Sequence, residues 1–108
     1  MSLEIEKYKD AIRKIKTDVV ILSFKLRDLE PSSQKFKDIQ KIIYDGNLEE
    51  RRYSFKISIA DSLIRAKDYE MKRDMRPMLS KEWIELDKCM VAENDMQRVL
   101  GERLNKIN

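Results

Sequence analysis

Residues 5–29 read IEKYKDAIRKIKTDVVILSFKLRDL, and the spacing of the apolar residues in this stretch decides the fold class. Ile5, Tyr8, Ile12, Ile15, Val19, Leu22, Leu26 and Leu29 fall at alternating steps of three and four. That is a heptad seam in which every a and d position is apolar or aromatic. With Ile5 at a, the other a positions are Ile12, Val19 and Leu26, and the d positions are Tyr8, Ile15, Leu22 and Leu29. β-Branched residues at a favour two parallel strands, and the flanking pairs Glu4–Lys9 and Lys25–Glu30 are attractive across such a dimer. Helices of one chain packed as a bundle use the same spacing. The seam therefore predicts either an oligomer interface or a face turned towards the chain's own helices. Val20, Ile21 and Phe24 lie outside the seam and predict a second packing surface halfway along the helix.

Proline and glycine punctuate the rest. Pro31 stops the first helix, because proline lacks an N–H and disfavours helical dihedrals at the residue before it. Ser32 or Ser33 then caps a short second helix carrying Phe36, Ile39, Ile42 and Ile43. Asp45-Gly46 closes it, with Gly46 free to take a left-handed terminal conformation. Asn47 caps a third helix with Glu49 and Glu50 in its first turn. Two stripes follow on it: Tyr53, Ile57, Ala60 and Ile64, and beside them Phe55, Ile59, Leu63 and Ala66. Pro77 breaks the chain again, and Ser80 caps the last helix. There Leu79, Trp83, Leu86, Met90, Glu93, Gln97, Leu100, Leu104 and Ile107 form one stripe, interrupted by Glu93 and Gln97. Gly101 weakens the final turns and marks a place where another helix could come close.

The expected fold is all-α, a single helical domain over residues 1–108 with helices at about 3–30, 34–45, 48–76 and 80–107. It reads as an elongated helical hairpin or bundle of three long helices and one short helix with coiled-coil character. Long apolar seams with few partner helices predict a homo-oligomer.

Composition narrows the function. The chain has 108 residues, 40% of them charged, with 2 Gly, 2 Pro, 1 Cys and no His. General acid–base catalysis most often uses His, and Cys89 has no His to activate it. Two glycines make no phosphate-binding loop. An enzyme, a cofactor and a metal site are all unexpected. The 23 basic and 20 acidic residues are interleaved along the chain. The longest run free of charge is Val19–Phe24, too short to cross a membrane. A single thiol is compatible with a reducing cytoplasm.

The leading function is a non-enzymatic assembly or adaptor protein that acts by contact with other proteins, with Met71, Met75, Met78, Met90 and Met96 as an adaptable surface. The alternative is a nucleic-acid accessory factor. Its candidate contacts are Lys35, Lys37 and Lys41, Arg51 and Arg52, and Lys72, Arg73 and Arg76, with Tyr53, Phe55, Tyr69 and Trp83 nearby to stack on bases. In general layout the chain resembles the small helical recombination-mediator proteins of tailed phages, which implies binding to single-stranded DNA. Tyr44-Asp45-Gly46 is similar to the Trp-x-Gly turn of the helical-hairpin substrates of type VII secretion, which implies a turn at mid-chain. Pro31 and the missing C-terminal Tyr-x-x-x-Asp/Glu signal depart from that family.

Overall fold

A computed structural model of the chain describes residues 3–107. It is all-α, with helices α1 (Leu3–Leu26), α2 (Gln34–Asp74) and α3 (Lys81–Ile107), and no strand among the described residues. The chain forms two compact units, Met1–Ser54 and Phe55–Asn108, and α2 continues through the boundary.

Three helices replace the expected four. Asp45-Gly46 closes nothing and Asn47 caps nothing, because both lie inside the 41 residues of α2. Gly46 does not adopt a positive φ. A glycine in a helix interior costs only about 1 kcal/mol relative to alanine, so packing can override it. Here a Cβ on residue 46 would lie 3.2 Å from Val19 Cγ2 and 3.6 Å from Ile15 Cγ2. The bare backbone at Gly46 lets α1 come close. The turn that Tyr44-Asp45-Gly46 implied is likewise replaced by helix.

The punctuation at the other boundaries is closer to expectation. Regular helix in α1 ends at Leu26, ahead of the expected 30, and the chain tightens before Pro31. The N–H groups of Arg27, Asp28 and Leu29 each donate to the carbonyl three residues back, at 3.2–3.3 Å, the pattern of a 3₁₀ turn. Ser33 is the cap of α2, its hydroxyl accepting the Phe36 N–H at 3.1 Å. α2 stops at Asp74, two residues before the expected end, and Ser80 caps α3 by accepting the Trp83 N–H at 3.2 Å. Leu79, expected to lead the α3 stripe, stands outside the helix with φ 63° and is exposed.

In the first unit, α1 runs antiparallel to the first half of α2. Tyr8 meets Tyr53 with ring centroids 5.7 Å apart, Lys16 pairs with Glu50 at 3.5 Å, and Val19 lies against Gly46. Leu22 and Leu29 share a cleft with Ile39. Ile5 and Ile39 are buried, and the other seven seam residues are half-buried.

In the second unit, the latter half of α2 and α3 are also antiparallel, since Arg73 meets Asp87 while Ser62 meets Glu93. On α2, Phe55, Ile59, Ser62, Ala66, Tyr69 and Arg73 are buried or half-buried in steps of four and three, and Ile57 and Ala60 of the other expected stripe are half-buried beside them, while Ile64 is exposed. Ser62 takes the place expected for Leu63, which is exposed. The α3 stripe from Trp83 to Ile107 is protected as its spacing predicted.

Gly101 is the glycine without a close neighbour: a Cβ there meets nothing within 4 Å. Gly101→Ala should therefore stabilise the protein by up to about 1 kcal/mol, the full difference in helix propensity. Urea denaturation measures it, and an unchanged or lower midpoint would mean that the residue is crowded after all.

Candidate interaction surfaces

The second unit carries a polar lock inside its helix contact. Ser62 is fully buried, at 0% exposure. Its hydroxyl lies 2.6 Å from Glu93 Oε2 and 3.0 Å from the Glu93 carbonyl, and its one proton serves either acceptor. Arg65 closes the other side, with Nε donating to Glu93 Oε1 at 2.8 Å and a second nitrogen 3.3 Å from Oε2. The Arg65 guanidinium, and after it the Ser62 hydroxyl, hold the Glu93 carboxyl below the usual carboxylate range. The same contact raises Arg65. This is how the α3 stripe tolerates its first polar interruption. At the second, Gln97 Nε2 is buried without a hydrogen-bond partner among the described residues.

Arg73 organises the end of this unit. It donates to Asp87 at 2.7 Å and to Asp74 at 3.2 Å, and its guanidinium carbon lies 5.4 Å from the centroid of Trp83. The Met90 sulfur is 3.6 Å away. Such a residue holds helices together and is not available to a ligand.

That placement separates the eight expected nucleic-acid contacts into three groups. Arg52 pairs with Glu49 at 2.7 Å, Lys72 with Asp68 at 2.9 Å, and Arg73 is engaged as described. Lys35 borders the Leu22–Ile39 cleft beside Lys25 and Asp28. Lys37, Lys41, Arg51 and Arg76 are exposed and enter no ion pair among the described residues. The aromatic residues named with them, Tyr53, Phe55, Tyr69 and Trp83, are all partly buried. Tyr44, not named among them, is 63% exposed.

The apolar surface is likewise redistributed. The seam residues Ile15 and Val19 are spent on the chain's own α2. Val20, Ile21 and Phe24 point away from it and are 53%, 50% and 57% exposed. Arg27 stacks on the Phe24 ring at 4.8 Å. Among the methionines, Met71, Met75, Met78 and Met96 are exposed, while Met90 is half-buried beside Arg73. Cys89 is exposed.

Among the described residues no group of three or more His, Cys, Asp or Glu side chains is placed to hold a metal ion. None of the described helices is long and apolar enough to cross a membrane. No family model matches the chain, and neither does any curated protein or solved structure.

Proposed function

We propose that the protein is a non-enzymatic assembly protein that associates with a second copy of itself through the outward face of α1. The observation that carries this reading is the exposure of Val20, Ile21 and Phe24 on the side of α1 turned away from α2. Contiguous apolar groups on a helix face favour burial, and charged rims fix the partner's orientation.

The face is self-complementary. Thr17, Val20, Ile21 and Phe24 lie on it at steps of three, one and three. Read backwards the steps are the same, so an antiparallel copy fits it by a twofold axis between Val20 and Ile21. Phe24 then faces the partner's Thr17 on both sides of the axis. Isologous contacts of this kind close as dimers. A standard interface uses about 20–30 residues a side, so this smaller patch should give weak, concentration-dependent association.

Sedimentation across a concentration series measures it. Wild-type protein should shift towards dimer with concentration, and Phe24→Glu should remain monomeric with unchanged helicity. A wild-type mass that stays monomeric throughout, or a Phe24→Glu protein that still dimerises, would overturn the reading.

A further inference from the structure

We infer that the first half of α2 carries a binding stripe for single-stranded nucleic acid, formed by Lys37, Lys41, Tyr44 and Arg51. It lies on a different helix from the proposed self-association face, and it exists only because α2 is unbroken. Were Asp45-Gly46 a helix end, the two lysines and Arg51 would belong to separate elements. In a continuous helix, residues 37, 41, 44, 48 and 51 are spaced four, three, four and three apart and share one face.

That face is opposite the one α1 covers. Ile39, Ile43, Gly46, Glu50 and Tyr53 are the inward positions of this half of α2, and they fall about half a turn away. Lys37, Lys41, Tyr44 and Arg51 are exposed, and Leu48 between them is half-buried. No acidic residue shares the stripe. Of the neighbouring acids, Asp38 accepts the Gln34 amide at 2.8 Å, Glu49 pairs with Arg52 and Glu50 pairs with Lys16, while Asp45, beside Tyr44 but about a quarter turn off the stripe, is exposed and enters no ion pair among the described residues. The three cations of the stripe form no ion pair among the described residues.

The chemistry of the face favours a nucleic acid over an acidic peptide. Its cations stand on both sides of an exposed aromatic ring. At 1.5 Å per residue, Lys41 lies about 5 Å and Arg51 about 10 Å from Tyr44 along the axis. A base unstacked from its neighbours can lie on the Tyr44 ring while phosphates on either side meet Lys41 and Arg51, and Lys37 extends the charged track. An acidic peptide offers carboxylates but no planar base for the ring. A duplex keeps its bases stacked and out of reach, which selects the single strand.

Fluorescence anisotropy with a labelled oligothymidine and the full-length protein tests this at several salt concentrations. Binding should weaken with salt, with a logarithmic slope of about −2 for three phosphate contacts on a single strand. The triple variant Lys37→Ala/Lys41→Ala/Arg51→Ala should remove most of the binding and flatten the slope. Tyr44→Ala should weaken binding roughly five- to hundredfold with the slope retained, since stacking is not ionic. All four side chains are exposed, so circular dichroism should show intact helices. Absence of salt-dependent binding overturns the inference, as does binding that the triple variant leaves unchanged. Equal competition by poly-glutamate, or duplex binding indifferent to Tyr44→Ala, overturns the assignment to a single strand.

Discussion

Ser62→Asp is expected to destabilise the second unit by about 3 kcal/mol or more at neutral pH, and to reverse the sign of its pH dependence in acid. Ser62 has no exposure, and its hydroxyl lies 2.6 Å from a Glu93 oxygen. The substitution sets a second carboxylate against the first at a position with no exposure, while the Glu93 side chain itself is 14% exposed. An uncompensated charge at a fully buried position costs about 3–5 kcal/mol. Arg65 stands beside Glu93 and can offset only part of that repulsion, since it is already paired there. Ser62→Asn separates charge from size, because the amide is nearly isosteric and can still donate to Glu93. It should cost much less than the aspartate. Ser62→Ala loses a single hydrogen bond to a charged group, about 1.5–3 kcal/mol.

The pH dependence follows from the direction of each shift. In the wild type the folded-state pKa of Glu93 is lowered by Arg65 and Ser62. Its stabilisation is present above the unfolded value of about 4.3, and is lost as the pH falls through the lower folded value. In the Ser62→Asp protein the two carboxylates share a proton more readily when folded, which raises the apparent pKa of the pair. The penalty is then full above that raised value and is relieved as the pH falls through it. Urea midpoints for wild type and variant should converge on acidification from neutral. Parallel curves, or a variant as stable as wild type at pH 7, would show that Ser62 and Glu93 are not in contact.

How much of this was legible in the sequence depends on the distance over which each fact is encoded. Helix faces are local, so the steps from Ile5 to Leu29 and from Trp83 to Ile107 marked the protected sides of α1 and α3 correctly. Caps are local too, and Ser33 and Ser80 stand where their neighbours implied. Gly46 shows the limit. Its local signal is a helix stop, but its conformation is decided by Val19 and Ile15 on another helix, and no window around residue 46 contains them. Glu93 was visible as an interruption, whereas its partner Ser62 is 31 residues away and looks unremarkable in sequence. The stripe of Lys37, Lys41, Tyr44 and Arg51 was hidden for the same reason as the helix count. Its residues align only once Gly46 is known to be helical. Whether the α1 seam faces its own chain or a second copy is also a question of partners, which heptad spacing alone leaves open.

Gly46 also gives the second large effect. Gly46→Leu should destabilise the first unit by about 1–3 kcal/mol, despite leucine being the better helix former by nearly 1 kcal/mol. The Cβ alone would sit 3.2 Å from Val19 Cγ2, closer than an ordinary van der Waals contact. The remaining three carbons extend from there into α1, or must turn along the helix into unfavourable rotamers. Either way α1 is pushed from α2, and the Tyr8–Tyr53 and Lys16–Glu50 contacts loosen. Gly46→Ala places only the Cβ there, so propensity and crowding nearly cancel and its effect should be small. A compensating deletion on the facing helix identifies the cause. Val19→Ala alone opens a small cavity and destabilises, yet combined with Gly46→Leu it should recover part of the loss. A coupling energy of about 0.5–3 kcal/mol is the range for residues in contact. Denaturation of the four proteins yields the cycle, and amide exchange should rise in α1 of the single leucine variant. Strict additivity of the two substitutions would place Val19 away from Gly46, and with it would fall the reason for a glycine in the middle of α2.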